Sequence, residues 1–238
     1  MRFGICCSPD RGSEYLEAGF DYVELPAVAL ANDPGAYGNL RVDVTNVFFP
    51  GSIHLIGSDP TPYRGHAKKV IEAAATYGVS IMVLGSGGSR RAPPETTPQD
   101  AEKAFIDVAA ELDSMAQAHG IRVCPESLNK SETNVGNDLG LLARALNANG
   151  LNYTADAYHV LRECGASPNW EDQLPHPPAH VHFASVSKRT FEPDDPMLVP
   201  FFDRLQALSY NGRISFEGGL DGVPAAQLLR WLRDRLGD

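Results

Sequence analysis

Cysteine is scarce in this chain. Cys6, Cys7, Cys124 and Cys164 are the only four in 238 residues, and none lies in C-x-x-C spacing. That argues against a disulfide framework and fits reduced thiols in the cytoplasm. Long hydrophobic runs are missing too: no apolar stretch approaches the ~20 residues a membrane span needs. The opening MRFGICCSPDRG reaches proline and charge too soon for a signal peptide, so a cytoplasmic location is expected. Positive charge is in short supply. Lys and Arg number 20 against 30 Asp and Glu, a net charge of -10. Such a chain repels polyphosphate, so nucleic acid is not an expected partner. The first strand-like run ends in Cys-Cys-Ser-Pro, and no glycine follows it until Gly12. An open doubly wound sheet usually has a glycine-rich turn there.

What is present is ordinary for a globular protein: 43% hydrophobic and 21% charged residues. The length is close to the about 250 residues of a (β/α)₈ barrel. Short runs rich in Val, Ile, Phe and Tyr recur at Arg2–Cys6, Asp21–Leu25, Val42–Phe48, Ser80–Leu84, Ile121–Glu126, Tyr153–Asp156, His180–Ala184 and Arg213–Glu217. Helical patterns alternate with them. In Gln99–His119, Ala101, Phe105, Val108, Leu112 and Met115 fall on one face. Thr97 can cap this helix, Pro98 suits its first position and Gly120 its end. Arg64–Tyr77, Asp138–Asn149, Met197–Ser209 and Pro224–Leu236 read similarly, while Ser13–Ala18 and Pro26–Tyr37 are short and weakly patterned. Strand–helix units of about 30 residues each predict one (β/α)₈ barrel domain over residues 1–238.

Active sites of such barrels gather where the strands end. The fifth strand ends on Glu126, the sixth on Asp156 and the eighth on Glu217, and the seventh carries His180 and His182. Carboxylates do not crowd together without a compensating charge, and a bound cation supplies one. Glu126, Asp156, His182 and Glu217 are therefore the expected ligands of one divalent metal ion. The oxygen-rich set favours Mn²⁺, with Mg²⁺, Co²⁺, Zn²⁺ and Fe²⁺ as alternatives. His180 lies two residues before His182 on the same strand face and is expected to pack or hydrogen-bond beneath it.

At these positions the sequence resembles the xylose isomerase-like barrels, the superfamily of sugar isomerases and epimerases that includes the ketose 3-epimerases and hydroxypyruvate isomerase. Glu126-Ser-Leu-Asn-Lys-Ser-Glu132 is similar to the family's E-x-L-N-[RK]-x-E stretch, and Asp156-Ala-Tyr-His159 to its D-x-x-H. His180-Val-His182 and Phe216-Glu217 match its last two strands. The resemblance implies that Glu126 and Glu217 are also a proton-transfer pair and that Glu132 and His159 contact substrate oxygens. It further implies isomerisation or epimerisation of a small sugar or keto acid by α-proton abstraction through a cis-enediolate. The epimerase pattern has an acidic residue and an arginine three and six places after the second histidine. This chain has Ser185 and Lys188 there, with Arg189 next. Lys188 and Arg189 are thus candidate substrate contacts, and lysine lacks arginine's bidentate fork.

The loop Gly85-Ser-Gly-Gly-Ser-Arg-Arg91 follows the fourth strand. Its Arg90 and Arg91 are candidate clamps for an acidic or phosphorylated substrate. Glu24, near the end of the second strand, and His54, after the third, are weaker candidates, and the polar segment 185–196 is a candidate lid. A metal-dependent dehydratase of inosose or dehydroshikimate type begins with the same proton abstraction and stands as the alternative. An endonuclease-four-like hydrolase needs further histidines and a D-x-H after the seventh strand, which 185–196 lacks. A barrel that binds without catalysis would have no use for paired Glu126 and Glu217. The expected partner is a small sugar or sugar-derived substrate, with no membrane involved and a homodimer left open.

Overall fold

Strand-like runs that are buried on both faces can only pair inside a layer of helices, and that is how the chain closes. The computed structural model describes residues 1–187, 189–193 and 195–237. Eight strands form: β1 Arg2–Cys6, β2 Tyr22–Pro26, β3 Val42–Asn46, β4 Ile81–Leu84, β5 Arg122–Pro125, β6 Thr154–Asp156, β7 His180–Phe183 and β8 Arg213–Phe216. They pair in parallel in the order β5-β4-β3-β2-β1-β8-β7-β6. The two ends of that ladder meet through one bridge, Glu126 with Thr154. The sheet is therefore a nearly closed (β/α)₈ barrel whose thinnest seam lies between β5 and β6.

Helices α1 Gly12–Glu17, α2 Val28–Asn32, α3 Thr61–Thr76, α4 Pro98–Gln117, α5 Leu139–Ala148, α6 Ala157–Cys164, α7 Trp170–Gln173, α8 Val199–Ala207 and α9 Ala225–Leu236 lie between or after the strands. The expected cap on α4 is present: the Thr97 side chain accepts from the Asp100 amide, and Gly120 turns with φ +73. Two helices went unrecognised in the sequence. α6 starts directly on the strand-end Asp156, whose carboxylate accepts from the Tyr158 amide at 2.7 Å. α7 is one turn long, capped by Asn169. β3 is two residues shorter than expected, because Val47 turns with φ +43 and sends Phe48 and Phe49 outward into the helical layer.

Period-two alternation assigns the strand side chains. Val23 and Leu25 face the helices with most of the core, whereas Tyr22, Val44, Ile81, Val83 and Cys124 fill the barrel itself. Gly4 leaves the space for the Tyr22 ring, since a Cβ there would fall 2.3 Å from it. At the N-terminal mouth, Asp43 is 4% exposed and is held by Arg2 from β1 and Arg213 from β8. This plug ties three strands from inside. Asp43→Ala is expected to cost about 1.5–3 kcal/mol, the scale of lost charge-assisted hydrogen bonds. The thermal midpoint, followed by circular dichroism, should fall at about 2–4 °C per kcal/mol for a chain of this size.

Candidate metal centre and reaction cavity

Residues of one parity at the C-terminal strand ends point into the barrel mouth. Glu126, Asp156, His182 and Glu217 each present a ligand atom there, all within 4.8 Å of one another. His182 is the hub. Its Nδ1 lies 2.9 Å from Glu126 Oε1 and 3.5 Å from Glu217 Oε2, and its Nε2 lies 2.8 Å from Glu24 Oε1. The other Glu24 oxygen takes His180 Nε2 at 2.8 Å. Glu24 is completely buried, so one carboxylate from β2 orients both histidines of β7. Cys6 Sγ lies 4.0 Å from the same Nε2.

Asp156 Oδ2 and His159 Nε2 are buried, face each other at 3.6 Å and have no hydrogen-bond partner. His159 Nδ1 accepts from the Asn129 amide at 3.2 Å and lies 2.8 Å from its Nδ2. Burial holds the His159 pKa down to about 4. The ring is therefore neutral, with its proton on Nε2. Burial would also lower His182, but Glu24, then Cys6, Glu217 and Glu126 outweigh it and hold the imidazolium well above its ordinary range. Burial would raise Glu24 and Glu126, yet the His182 charge brings both below the usual carboxylate range. Asp156 goes the other way, pushed up to about 8 by burial and by the charges of Glu126 and Glu217.

A cavity of about 250 Å³ opens onto this cluster. Asn46, Glu126, Glu132, His159, Arg189 and Glu217 supply its polar wall, and Val47, Leu128 and Gly85-Ser86-Gly87 the rest. Gly85 is required by geometry: a Cβ there would sit 2.6 Å from Glu126 Oε2. Arg189 donates to Glu217 Oε2 at 2.7 Å, lies 3.8 Å from Glu132 Oε1 and stacks 4.8 Å over Tyr158. Of the expected substrate contacts, Glu132, His159 and Arg189 thus meet at the cavity, and Lys188 lies outside the described residues.

The two arginines of the 85–91 loop part company. Arg90 does not reach the cavity: it is fully buried, donates to the Glu126 carbonyl at 2.6 Å and lies 4.7 Å over Phe105. Burial lowers its pKa to about 10. It supports the main chain of Glu126 from behind. Arg91 is exposed and donates to the Glu132 carbonyl at 2.9 Å. His54 lines a separate space together with Arg91 and is not among the residues lining the cavity at the carboxylate cluster. Segment 185–196 is anchored by the bridges Ser185–Thr190 and Thr190–Gly219 and by buried Phe191. Sequence reasoning missed Asn129 as the partner of His159, although it sits inside the matched E-x-L-N stretch. It also missed Val47, whose left-handed turn leaves no periodic signal.

The Asp156 shift has a consequence for stability. An acid whose folded pKa is raised binds its proton more tightly in the native state. Its ionisation therefore destabilises the fold progressively between the ordinary 3.8 and about 8. Glu24 is shifted the other way, but its contribution is complete above its ordinary 4.5. Burial holds His159 and His180 below their ordinary 6.5, so both favour the fold as pH rises toward that value and oppose Asp156 there. In chelator, the thermal midpoint is therefore expected to fall as pH rises from about 6.5 to about 8, and Asp156→Asn should reduce that slope. A flat profile for the unsubstituted protein would contradict the charge balance described here.

Known proteins place this arrangement in context. No curated protein matches the sequence. Among solved structures, the E. coli 3-keto-D-glucoside 4-epimerase YcjR is 22% identical, with 98% of this chain and 99% of that one aligned at TM-score 0.75. The D-psicose 3-epimerase of Clostridium cellulolyticum H10, solved with D-tagatose, is 15% identical over 100% of both chains at TM-score 0.77. A Brucella melitensis protein described as an AP endonuclease of family 2 is 20% identical, with 98% of both chains aligned at TM-score 0.74. At such identities the likeness is one of fold. The model of the xylose isomerase-like TIM barrel family matches residues 13–235, and this chain belongs to that family.

Proposed function

We propose that the protein is a metal-dependent sugar epimerase or isomerase that moves a proton beside a carbonyl, with Glu126 and Glu217 as the transfer pair. The observation that carries this reading is their convergence. They come from opposite sides of β6 and β7, meet at His182 Nδ1 and line one cavity. The epimerase activities of the structural relatives agree with it.

The donor set fits a divalent cation. Three carboxylates and one imidazole nitrogen lie within 4.8 Å, and Asp156 Oδ2 is buried without a partner. Glu126, Asp156, His182 and Glu217 would hold the ion, with Mn²⁺ the first candidate for so oxygen-rich a set. When bound, it would supply Lewis-acid polarisation of the substrate carbonyl. The remaining work falls to the chain. One glutamate removes the α-proton and the other returns a proton to the opposite face, which inverts the carbon. His159 presents its Nε2 proton to a substrate oxygen. Arg189 holds Glu217 in place and leaves part of its guanidinium toward the cavity, the task that the departed epimerase arginine would have had.

The cavity favours a neutral reacting end. Its one described cation, Arg189, is already committed to Glu217 and Glu132. At about 250 Å³ the space is below the about 300–1,000 Å³ of drug-sized pockets, a size suited to one sugar unit. A ketose therefore fits better here than a phosphate or keto acid held at the reacting carbons.

Mn²⁺-loaded protein incubated with D-fructose, D-psicose and D-tagatose in D₂O should incorporate deuterium beside the carbonyl, read by NMR. Glu126→Gln should reduce that exchange by about 10²–10⁴-fold, the usual weight of a positioned acid–base group, with the circular dichroism spectrum unaltered. No exchange with any ketose, together with no metal on elemental analysis, would sink the proposal. Glu24→Gln leaves His182 without its orienting carboxylate. Manganese affinity, followed by electron paramagnetic resonance, should drop about 10–100-fold.

A further inference from the structure

A second cavity of about 330 Å³ opens on the same rim, between the segment 54–58 after β3 and the segment 88–94 after β4. It adjoins the reaction cavity along one loop. Gly85, Ser86 and Gly87 line the inner space, and Gly88 and Arg91 line the outer one. The Glu132 residue marks the partition. Its carboxylate side lines the inner cavity, while its carbonyl accepts from Arg91 Nη2 of the outer cavity at 2.9 Å.

The outer cavity is built rather than a gap between loose loops. The Leu55 amide donates to the Ser89 carbonyl at 2.8 Å, and Ser89 Oγ donates to the Pro50 carbonyl at 2.9 Å. Asn134 holds Ala92 by both backbone groups, at 2.9 and 3.0 Å. Gly57, with φ +72, packs so closely on Pro93 that a Cβ would fall 2.7 Å from its ring. The chemistry is mixed. Ile56 and Ala92 are buried and, with Pro93, form an apolar face, and exposed His54, Ser58 and Arg91 rim it. Among the described residues Arg91 makes no ion pair, although Arg11, Arg64 and Arg235 on the same acidic surface each hold a carboxylate. Arg91 spends one N–H group on the Glu132 carbonyl and keeps the other edge of its fork.

We propose that this outer cavity is a second subsite, which binds an anionic sugar ring as the far end of a substrate whose neutral near end reacts in the inner cavity. The apolar face takes the C–H side of the ring, and Arg91 takes its oxyanion, carboxylate or phosphate, with His54 and Ser58 for hydroxyls. The near-end clause rests on the reaction proposed above, whereas binding in the outer cavity needs neither metal nor turnover. The division explains why the arginine pair does not serve the reacting carbons. Arg90 is committed to the Glu126 main chain, and Arg91 faces the neighbouring space.

The test is a titration of ¹⁵N-labelled full-length protein with D-glucuronate and with D-glucose 6-phosphate, using D-glucose as the uncharged control. At least one anion should shift the amides of Gly57, Gly88 and Ala92, with an affinity that falls on adding salt. Whichever anion binds more tightly identifies the oxyanion. Glucose should bind at least about tenfold more weakly, and Arg91→Gln should weaken the anion about 10–100-fold, the loss of a charge-assisted hydrogen bond. Gly88→Asp is the second variant, in case Arg91→Gln fails to fold. The nearest atom to a Cβ there is 3.6 Å away, so the side chain is accommodated and its charge should repel the anion. The proposal is overturned if neither anion shifts these amides, if glucose binds equally, or if both variants bind as the unsubstituted protein does. Deuterium exchange without anion binding would sink the subsite and leave the reaction standing. Anion binding without exchange would do the reverse.

Discussion

The crowding of three carboxylates around one imidazole is the constraint on which the rest of this barrel turns. Glu126, Asp156 and Glu217 come from three separate strand ends and converge within 4.8 Å. Like charges at that range oppose one another, and burial makes the repulsion worse. The chain meets it with cations placed from two directions: the His182 imidazolium from within the barrel and the Arg189 guanidinium from the rim. Glu24 is part of the same balance, since it favours the charge on His182 and fixes which nitrogen faces the mouth. Remove any one of these and the others lose their reason to be where they are.

Most of this could be read in the sequence because strands impose a strict alternation. Once the eight strands are located, Glu126, Asp156, His182 and Glu217 must share a parity and a height, and the structure brings them together. The same alternation places Glu24 with Tyr22 on the inner side, but a single carboxylate does not reveal whether its partner is an arginine at the surface or a histidine in the barrel. Loops carry no such rule. Arg90 and Arg91 are neighbours in sequence, yet one is buried behind Glu126 and the other faces solvent. The turn that separates them starts at Ser86, with φ +44, a conformation serine seldom adopts and composition does not announce. Val47 is a stronger case: a β-branched residue with φ +43 is poorly served by its own preference and is held there by the buried Phe48 and Phe49 that follow.

The short helices illustrate a further limit. α6 has only eight residues and begins on a side chain that also belongs to the carboxylate cluster around His182. Asp156 serves as helix cap through Oδ1 and presents Oδ2, buried and without a partner, to the candidate site. A residue with two employers cannot drift: the cap fixes the rotamer, and the rotamer aims the free oxygen. The weakly patterned first third of the chain follows from the same economy. Its helices α1 and α2 have six and five residues, too few for a periodic signal.

The seam between β5 and β6 gives the barrel a direction in which it yields. Elsewhere the neighbouring strands share a ladder, but here the strands themselves meet through the Glu126–Thr154 bridge and the Thr154 hydroxyl on the Cys124 carbonyl at 3.4 Å, with Asn129 on His159 and Lys130 on Glu163 linking the segments beyond them. Local opening follows the path that breaks the fewest bonds. Opening along this seam separates Glu126 from Asp156, the two candidate ligands on either bank, and parts Asn129 from His159. The geometry of the candidate site and the closure of the barrel are therefore a single mechanical variable, and whatever draws those carboxylates together also acts as the rivet of the fold.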